Sequence, residues 1–259
     1  MSTVPDPDAS PPIAPPAANR AGANSPAAQA LPASSSPPHP PRNLTVSERV
    51  ADVLADLGGI AADRLRAVNA EPAGLDELRE AHQQGNLCEL IDGYLVERAM
   101  GYRESLIAAV MIELLNRIVR TAKLGVVSGP DGFFQLSPSL IRGPDVAFTS
   151  WDRLPDRKVP TDAYPAVVPD LVVEVVSPGN TQTEMTNKRR DYFARGVQLI
   201  WMIDPDQRSV AVWRSMTDCR VLDETQALDG EDVIPGLSIP LAEVFQVLNG
   251  PDESNEGSV

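Results

Sequence analysis

The chain has 259 residues, a formal net charge of −14, two cysteines and two histidines. Its length is sufficient for one domain with a sizeable core, and its acidic balance argues against tight, non-specific binding to a polyanion. Cys88 and Cys219 lie far apart and in no CxxC pair, which argues against a disulfide framework or a zinc site and favours a reducing, cytoplasmic location.

The first part of the chain differs in composition from the rest. Residues 1–42 hold twelve of the 25 prolines and almost no large apolar side chains. Such a stretch cannot bury enough surface to offset the entropy of ordering the chain, and it lacks the pattern of a secretory signal. We therefore predict a disordered leader over residues 1–42, a folded domain over 43–250 and a disordered tail over 251–259. No apolar run approaches the roughly 20 residues that span a bilayer, so no membrane association is expected.

The domain begins with helical patterns. Apolar side chains recur at helical spacing over residues 46–57, and Leu75, Leu78 and Ala81 indicate a second helical piece. We therefore predict a helical lead-in over residues 43–84. The next run, LCELIDGYLVERAM, is typical of a β-hairpin, because Asp-Gly favours the positive φ angles of a tight turn and apolar residues flank it.

The middle of the chain combines a long helix with several strands. The strongest helical pattern covers residues 104–123, where seven apolar positions form one broad face. Short β-type segments follow in VVSG, FFQLS and DVAFTS, separated by Gly and Pro. The run DLVVEVVS, residues 170–177, is rich in β-branched residues, which is typical of a central strand buried on both faces.

The last third contains another helix and another hairpin. Thr181 and Glu184 form a capping box that predicts a helix over about 182–195, and the glycine after it is suited to end it. Residues 197–204 and 209–215 predict a second hairpin, and a loop and a short helix close the domain. The order of elements predicts an α/β fold with a mixed β-sheet flanked by helices.

The sequence lacks the parts of several common active sites. Its histidines are His39, in the predicted leader, and His82. A Ser-His-Asp hydrolase or a histidine-rich metal site therefore has no basis here. No GxxxxGK[ST], GxGxxG or GxSxG motif occurs either. Any chemistry must therefore come from carboxylates, lysine and a metal ion.

Two acids and one lysine are the candidates for that chemistry. Glu174 stands in the middle of LVVEVV, where an unpaired carboxylate would cost on the order of several kcal/mol, so it must meet either a buried Arg or Lys or a divalent metal. Asp145 follows a proline at the start of a strand, and two carboxylates on neighbouring strands offer the oxygen ligands that Mg²⁺ prefers. Lys188, on the following helix, can reach back towards the sheet, although an exposed pair with Glu184 is an alternative.

These residues belong to a longer run, GPDVAFTS…PDLVVEVVSPGNTQTEMTNKRRDYFARGVQLIWMIDP, which resembles the Uma family of restriction-type endonucleases in the PD-(D/E)XK nuclease superfamily. ELIDGYLVE and DVIPGLSIPLAEVF match the family's layout on either side. The resemblance implies a restriction-endonuclease-like core and Mg²⁺-dependent hydrolysis of DNA phosphodiester bonds, with Mn²⁺ as a substitute. It also implies Asp145 and Glu174 as metal ligands and Lys188 as the catalytic lysine, which lies on the helix instead of at Val176, two residues after the acid.

Further residues are secondary candidates. Glu104 stands where this superfamily often places an accessory acid, and Tyr192 lies one turn after Lys188. A basic cleft would reconcile DNA binding with the net charge, with phosphate contacts expected from Arg142, Arg189 and Arg190 and further cations at Lys158 and Arg195. The simpler interpretation of Lys188-Arg189-Arg190 is a solvated helix face.

Three functional hypotheses therefore remain. The first is a metal-dependent DNA endonuclease, for which cutting both strands favours a homodimer. The second, prompted by the acidic surface and the displaced lysine, is a catalytically inactive nuclease-fold module that binds nucleic acid or protein. The third is a metal-dependent hydrolase of RNA or of a small phosphoester.

Overall fold

A computed structural model describes residues 46–66, 72–99 and 101–249 of the chain. The predicted leader over residues 1–42 and the predicted tail over 251–259 lie outside the described residues. Within the described ranges, Cys88 and Cys219 are both free thiols. None of the helices in these ranges combines the length and the apolar character needed to cross a membrane.

The helices agree closely with the sequence patterns. The described residues form α1 (Val46–Asp56), α2 (Leu75–Gln83), α3 (Tyr102–Thr121), α4 (Gln182–Arg195) and α5 (Leu241–Gln246), together with short 3₁₀ turns. The expected capping box starts α4, since Thr181 accepts a hydrogen bond from the Glu184 N–H, and Gly196 ends the helix with a φ of 95°. Helix α3 begins two residues earlier than its apolar pattern indicated, because its N-cap is Gly101.

Thirteen strands occur in the described residues, most of them short. They are β1 (Leu65–Arg66), β2 (Cys88–Ile91), β3 (Tyr94–Glu97), β4 (Gly125–Ser128), β5 (Phe134–Ser137), β6 (Leu140–Arg142), β7 (Val146–Ser150), β8 (Leu171–Val175), β9 (Leu199–Asp204), β10 (Ser209–Trp213), β11 (Cys219–Asp223), β12 (Ala227–Asp229) and β13 (Ser238–Pro240).

Six of these strands form the mixed sheet that the sequence predicts. Their order is β11-β10-β9-β8-β7-β4, with β8 and β9 parallel and every other pair antiparallel. Strand β8 is buried along its whole length, as its β-branched sequence indicated. Its alternate side chains enter two separate hydrophobic cores, one on the α3 and α5 side and one on the α4 side.

A second sheet was not anticipated. Strands β1, β3, β2, β6 and β5 form an antiparallel sheet of their own, which contains the expected hairpin with Asp92 and Gly93 at positive φ. Strands β12 and β13 form a further two-stranded sheet. The patterns missed β6, β12, β13 and β1, because strands of two or three residues carry too few alternations to be distinguished from loops. Strand β1 lies within the lead-in that was predicted to be helical, so that prediction is wrong at Leu65–Arg66, and the five-residue β11 was also missed.

Helix α4 packs where the two larger sheets meet. Its Met185 and Tyr192 share a hydrophobic core with Ala147 and Val172 of the mixed sheet and with Leu140 of the antiparallel sheet. Side chains on this face of β7 and β8 therefore point towards α4. Helix α4 can thus bring polar groups to acids on β7 and β8.

The segment after α1 packs closely on α4. Two adjacent glycines in this segment test that packing, because only one of them touches the helix. Gly58 and Gly59 both have positive φ, but a Cβ on Gly58 would lie 2.6 Å from the Glu184 nitrogen, whereas nothing lies within 4 Å of a Cβ on Gly59. We expect Gly59→Ala to lower the free energy of unfolding by about 1 kcal/mol, because alanine disfavours this backbone conformation. Gly58→Ala should cost a further ~1–3 kcal/mol from overpacking.

Urea unfolding of the full chain measures both changes. Equal losses for the two variants would contradict the close packing of Gly58 on α4.

Candidate active site

The two candidate acids lie side by side, with Asp145 directly before β7 and Glu174 within β8. Val146 of β7 pairs with Val173 of β8 in antiparallel register, so the next pair outward is Asp145 and Glu174. Directly opposed residues of an antiparallel pair project to the same face of the sheet. Both acids are buried, with 5% of Asp145 and 2% of Glu174 exposed. The sheet therefore brings the two carboxylates together on the face covered by α4, as the sequence reasoning required.

Glu174 is held by two side chains of α4. The Lys188 Nζ donates to Glu174 Oε2 at 2.8 Å, and the Tyr192 hydroxyl donates to Glu174 Oε1 at 2.6 Å. Lys188 is buried, so its expected alternative, an exposed pair with Glu184, is wrong. Glu184 instead pairs with Arg64.

Asp145 is held by one guanidinium and one amide. Arg98 donates to Asp145 Oδ1 at 2.6 Å, and the Val175 N–H donates to Oδ2 at 2.7 Å. Burial and the negative charge of Glu174 raise the pKa of Asp145 to about 6, against the opposing effect of Arg98. The two acids therefore interact as like charges in a poorly solvated place.

The groups that hold Glu174 keep their protons at neutral pH. Burial lowers the pKa of the Lys188 amine, but the surrounding carboxylates outweigh that effect and raise the pKa above its usual value. Burial and the charge of Glu174 raise the pKa of the Tyr192 hydroxyl well above its usual value. Lys188 is thus a fixed positive charge and Tyr192 a fixed donor, and neither is suited to act as a base.

A second group of ion pairs lies beside the first. Arg142 of β6 pairs with Glu89 of β2 at 2.7 Å and also with Asp191 of α4. The Gly143 N–H donates to the other Glu89 oxygen. Burial raises the pKa of Glu89, but the charges of Lys188, Arg142 and Arg98 outweigh it and lower the pKa to about 2. The influence of Lys188 and Arg98 on Glu89 joins the two groups into one electrostatic unit.

We call this unit the charge cluster and define it by four carboxylates, three cations and a phenol: Glu89, Asp145, Glu174, Asp191, Arg98, Arg142, Lys188 and Tyr192. One negative charge is left without a matching cation among these residues. A buried group with an excess negative charge is stabilised by a further cation or by a proton.

The donor set of the two acids fits a divalent metal ion. Each oxygen of Asp145 and Glu174 accepts one of the hydrogen bonds described above and keeps a second lone pair. Hard carboxylate oxygens are the ligands that Mg²⁺ prefers, and Mg²⁺ usually keeps several waters. Across the described ranges, no group of three or more acidic, cysteine or histidine side chains has metal-binding geometry. Glu104 is buried in the first turn of α3 and does not complete such a group with the two acids.

The residues expected to contact phosphate have different environments in the structure. Arg142 is 2% exposed and doubly paired, so its expected contact with nucleic acid is wrong, and so is a cleft built on it. Arg189 stacks on the Trp213 ring, 3.8 Å from its centroid, while Arg190 is exposed and donates to Asn187. Lys158 and Arg195 are exposed.

Sequence reasoning missed Arg98, Glu89 and Asp191. Glu89 lies beside Leu90 and Ile91 in an apolar strand, and the desolvation argument used for Glu174 would have identified it too. Arg98 directly follows the first hairpin and carries no such local signal. Its role depends on the approach of the hairpin to β7, which only the tertiary fold determines.

Comparison with known proteins identifies a family and a similar solved structure. The model of the family Uma2, described as "Putative restriction endonuclease", matches residues 75–242. A crystal structure from Anabaena variabilis, described as a "putative nuclease belonging to DUF820", superposes with a TM-score of 0.60 at 22% identity, covering 69% of this chain and 100% of that chain. At this identity the structural match establishes the nuclease fold alone. No curated protein matches the chain.

Glu89→Gln tests the electrostatics of the charge cluster. Because the pKa of Glu89 falls from 4.5 to about 2, its ionised form stabilises the fold above pH 4.5, and this stabilisation is lost as the pH falls towards 2. We expect the substitution to lower the free energy of unfolding at neutral pH by on the order of 3 kcal/mol. The difference from wild type should shrink by about half near pH 3.

Urea unfolding at the two pH values measures this effect. Glu113→Gln, which removes an exposed partner of Arg117, is the control and should change little at either pH. A Glu89→Gln deficit that is the same at both pH values would contradict the lowered pKa.

Proposed function

Since the chain belongs to the Uma2 family of restriction-endonuclease-like proteins, we propose that it is a metal-dependent endonuclease that hydrolyses DNA phosphodiester bonds. The observation that carries the proposal is the register of β7 and β8, which opposes Asp145 and Glu174 beside the Lys188 amine. Two acids can hold a metal ion, and an amine beside them can stabilise the negative charge that develops on a phosphoryl group during hydrolysis.

Asp145 and Glu174 would hold the metal, together with the backbone carbonyl next to Glu174 and with water. Mg²⁺ is the proposed ion and Mn²⁺ its substitute, because both bind carboxylate and carbonyl oxygens. When bound, the metal supplies Lewis-acid stabilisation of the phosphoryl oxygens and a more acidic water. Arg98 and the Val175 N–H would fix the orientation of Asp145.

Lys188 would provide the fixed positive charge of the site. Its ammonium group is held by Glu174, and its raised pKa keeps it protonated at neutral pH. In this position it would stabilise negative charge that develops on the phosphoryl group and orient the attacking water. Tyr192 would hold the other oxygen of Glu174, so that the carboxylate cannot rotate away from the metal. Tyr192 thus acts through Glu174 and is a positioning residue.

A non-catalytic nuclease-fold module is the second candidate, and one observation favours it. Each of the two acids already has a cation at hydrogen-bonding distance, Arg98 for Asp145 and Lys188 for Glu174. A charge cluster that serves stability alone would have the same pairs. Cleavage and metal binding distinguish the two functions.

The first test is cleavage of DNA by the purified full chain. We expect supercoiled plasmid or linear DNA to be cut with Mg²⁺ or Mn²⁺ and not with EDTA. Glu174→Gln and Lys188→Met should each reduce the rate at least ~100-fold, because each removes a charge next to the reacting phosphate. Single-stranded RNA and a small phosphodiester, assayed at the same salt concentration, test whether DNA is the substrate.

Glu113→Gln is the matched control for cleavage, since Glu113 is an exposed acid of α3 paired with Arg117. It should cut at the wild-type rate. Equal rates for wild type and Glu174→Gln would reject the endonuclease.

The second test is metal binding without any substrate. A metal that binds the folded protein alone raises its stability, by about 2.7 kcal/mol when the free ion is at 100 times its Kd. We expect Mn²⁺ to raise the melting temperature of the wild type in a saturable manner. Asp145→Asn and Glu174→Gln should abolish the increase, whereas Glu113→Gln should keep it. A wild type whose melting temperature is indifferent to Mn²⁺ and Mg²⁺ would favour the non-catalytic module.

A further inference from the structure

We call residues 46–66 the lead-in segment; they are the first described part of the lead-in that was predicted over residues 43–84. The family model matches from residue 75, so the lead-in segment lies before the matched region. It contains α1, the Gly58-Gly59 turn and β1, and β1 pairs with β3 through Leu65 and Val96. Although it lies outside the shared part of the domain, this segment contacts the helix that carries Lys188.

The backbone of the lead-in segment packs on the start of α4. The Thr181 hydroxyl donates to the Gly58 carbonyl at 2.5 Å, and the Asn187 amide donates to the Asp56 carbonyl at 3.3 Å. Gly58 lies so close to the Glu184 backbone that any larger residue would force one of the two segments to shift. The N-cap and the second turn of α4 are therefore both attached to the lead-in segment.

Arg64 makes the strongest of these contacts. Its two terminal nitrogens donate to the two Glu184 oxygens at 3.0 and 2.7 Å, and one of them also donates to the Gly179 carbonyl. Its Nε donates to the Glu97 carbonyl at 2.8 Å. One guanidinium thus connects β3, the loop before α4 and the first turn of α4, with 13% of its side chain exposed.

Glu184 is also a competitor for the Lys188 amine. The two residues are four apart on α4, so they lie one turn apart on one helix face, and both are buried. Burial raises the pKa of Glu184, but the hydrogen bonds from Arg64 and Asn180 and then the charges of Arg64 and Lys188 outweigh it and lower the pKa. Without Arg64, the Glu184 carboxylate would be a nearby buried anion with no guanidinium partner, able to attract the amine away from Glu174.

We propose that Arg64 is a positioning residue for Lys188: it fixes the first turn of α4 and neutralises Glu184, so that the Lys188 amine stays on Glu174. The catalytic meaning of this role rests on the proposed function, but the geometry does not. Arg64 needs no contact with substrate to act in this way.

The test follows the Lys188 ammonium group directly by NMR in the full chain. The sequence has only three lysines, and Lys123 and Lys158 are exposed, so ¹⁵N-lysine labelling should give one protected ammonium signal, from Lys188. Arg64→Met should abolish that signal or raise its hydrogen-exchange rate at least ~10-fold, since a weakened buried ion pair opens more often. Arg66→Met should leave it unchanged, because Arg66 lies only two residues after Arg64 but is in an exposed pair with Glu97.

A double variant separates positioning from a general loss of structure. Glutamine also serves at the third position of a capping box, so Glu184→Gln removes the competing charge and keeps the cap of α4. Adding Glu184→Gln to Arg64→Met should restore the Lys188 signal, which a general structural defect would not allow. Should Arg64→Met not fold, Arg64→Gln, which keeps donors but no charge, should show the same loss and the same rescue.

The Arg64 substitution should also change the kinetics of DNA cleavage. Arg64→Met should lower kcat for DNA cleavage at least ~10-fold with KM unchanged, and the double variant should regain most of it. A wild type that cuts no DNA would reject the proposed function but leave the NMR test intact. An unprotected Lys188 in the wild type, an unchanged signal in Arg64→Met, an equal effect of Arg66→Met or a failed rescue would each overturn the role of Arg64.

Discussion

The structure around the candidate site depends on one electrostatic constraint: Glu174 is a carboxylate in the middle of a strand that is buried on both faces. An isolated buried ion is too costly to keep, so the fold must supply opposite charge and hydrogen bonds at that point. Lys188 and Tyr192 supply both, and they lie one turn apart on α4. The position of α4 on the sheet is therefore set by polar groups as well as by its apolar face.

The same constraint extends to the antiparallel sheet. Glu89 on β2 and Arg142 on β6 are buried in that sheet, and Arg142 reaches Asp191 on α4. Helix α4 thus takes part in ion pairs with both larger sheets, in a chain whose formal net charge is −14. Removing one member of such a group leaves a partner buried and unpaired, which costs more than the pair contributes. The charge cluster consequently links the stability of the domain to the geometry of the candidate site.

This arrangement also explains how a stable protein can keep two buried acids close together. Arg98 and the Val175 N–H offset the repulsion that Glu174 exerts on Asp145, but the four carboxylates of the cluster share three cations, which leaves one net negative charge. The remaining charge is a property that a divalent ion would complement. The lead-in segment also contributes to this arrangement, because Arg64 pairs with Glu184 and keeps that carboxylate from competing for Lys188.

The sequence by itself determined the helices α1 to α4, the two hairpins, the buried strand β8 and the two acids of the candidate site. These features are local: helical spacing, capping residues and β-branched runs act between residues close in the chain, and the cost of burying Glu174 can be judged from its neighbours alone. Only the tertiary structure decided that the first hairpin belongs to a separate sheet, that Arg142 is buried and that Arg98 holds Asp145. Arg98 and Asp145 are 47 residues apart, and Arg64 and Glu184 are 120 apart. The partner of a charge at such separations depends on how the elements pack, which no local pattern encodes.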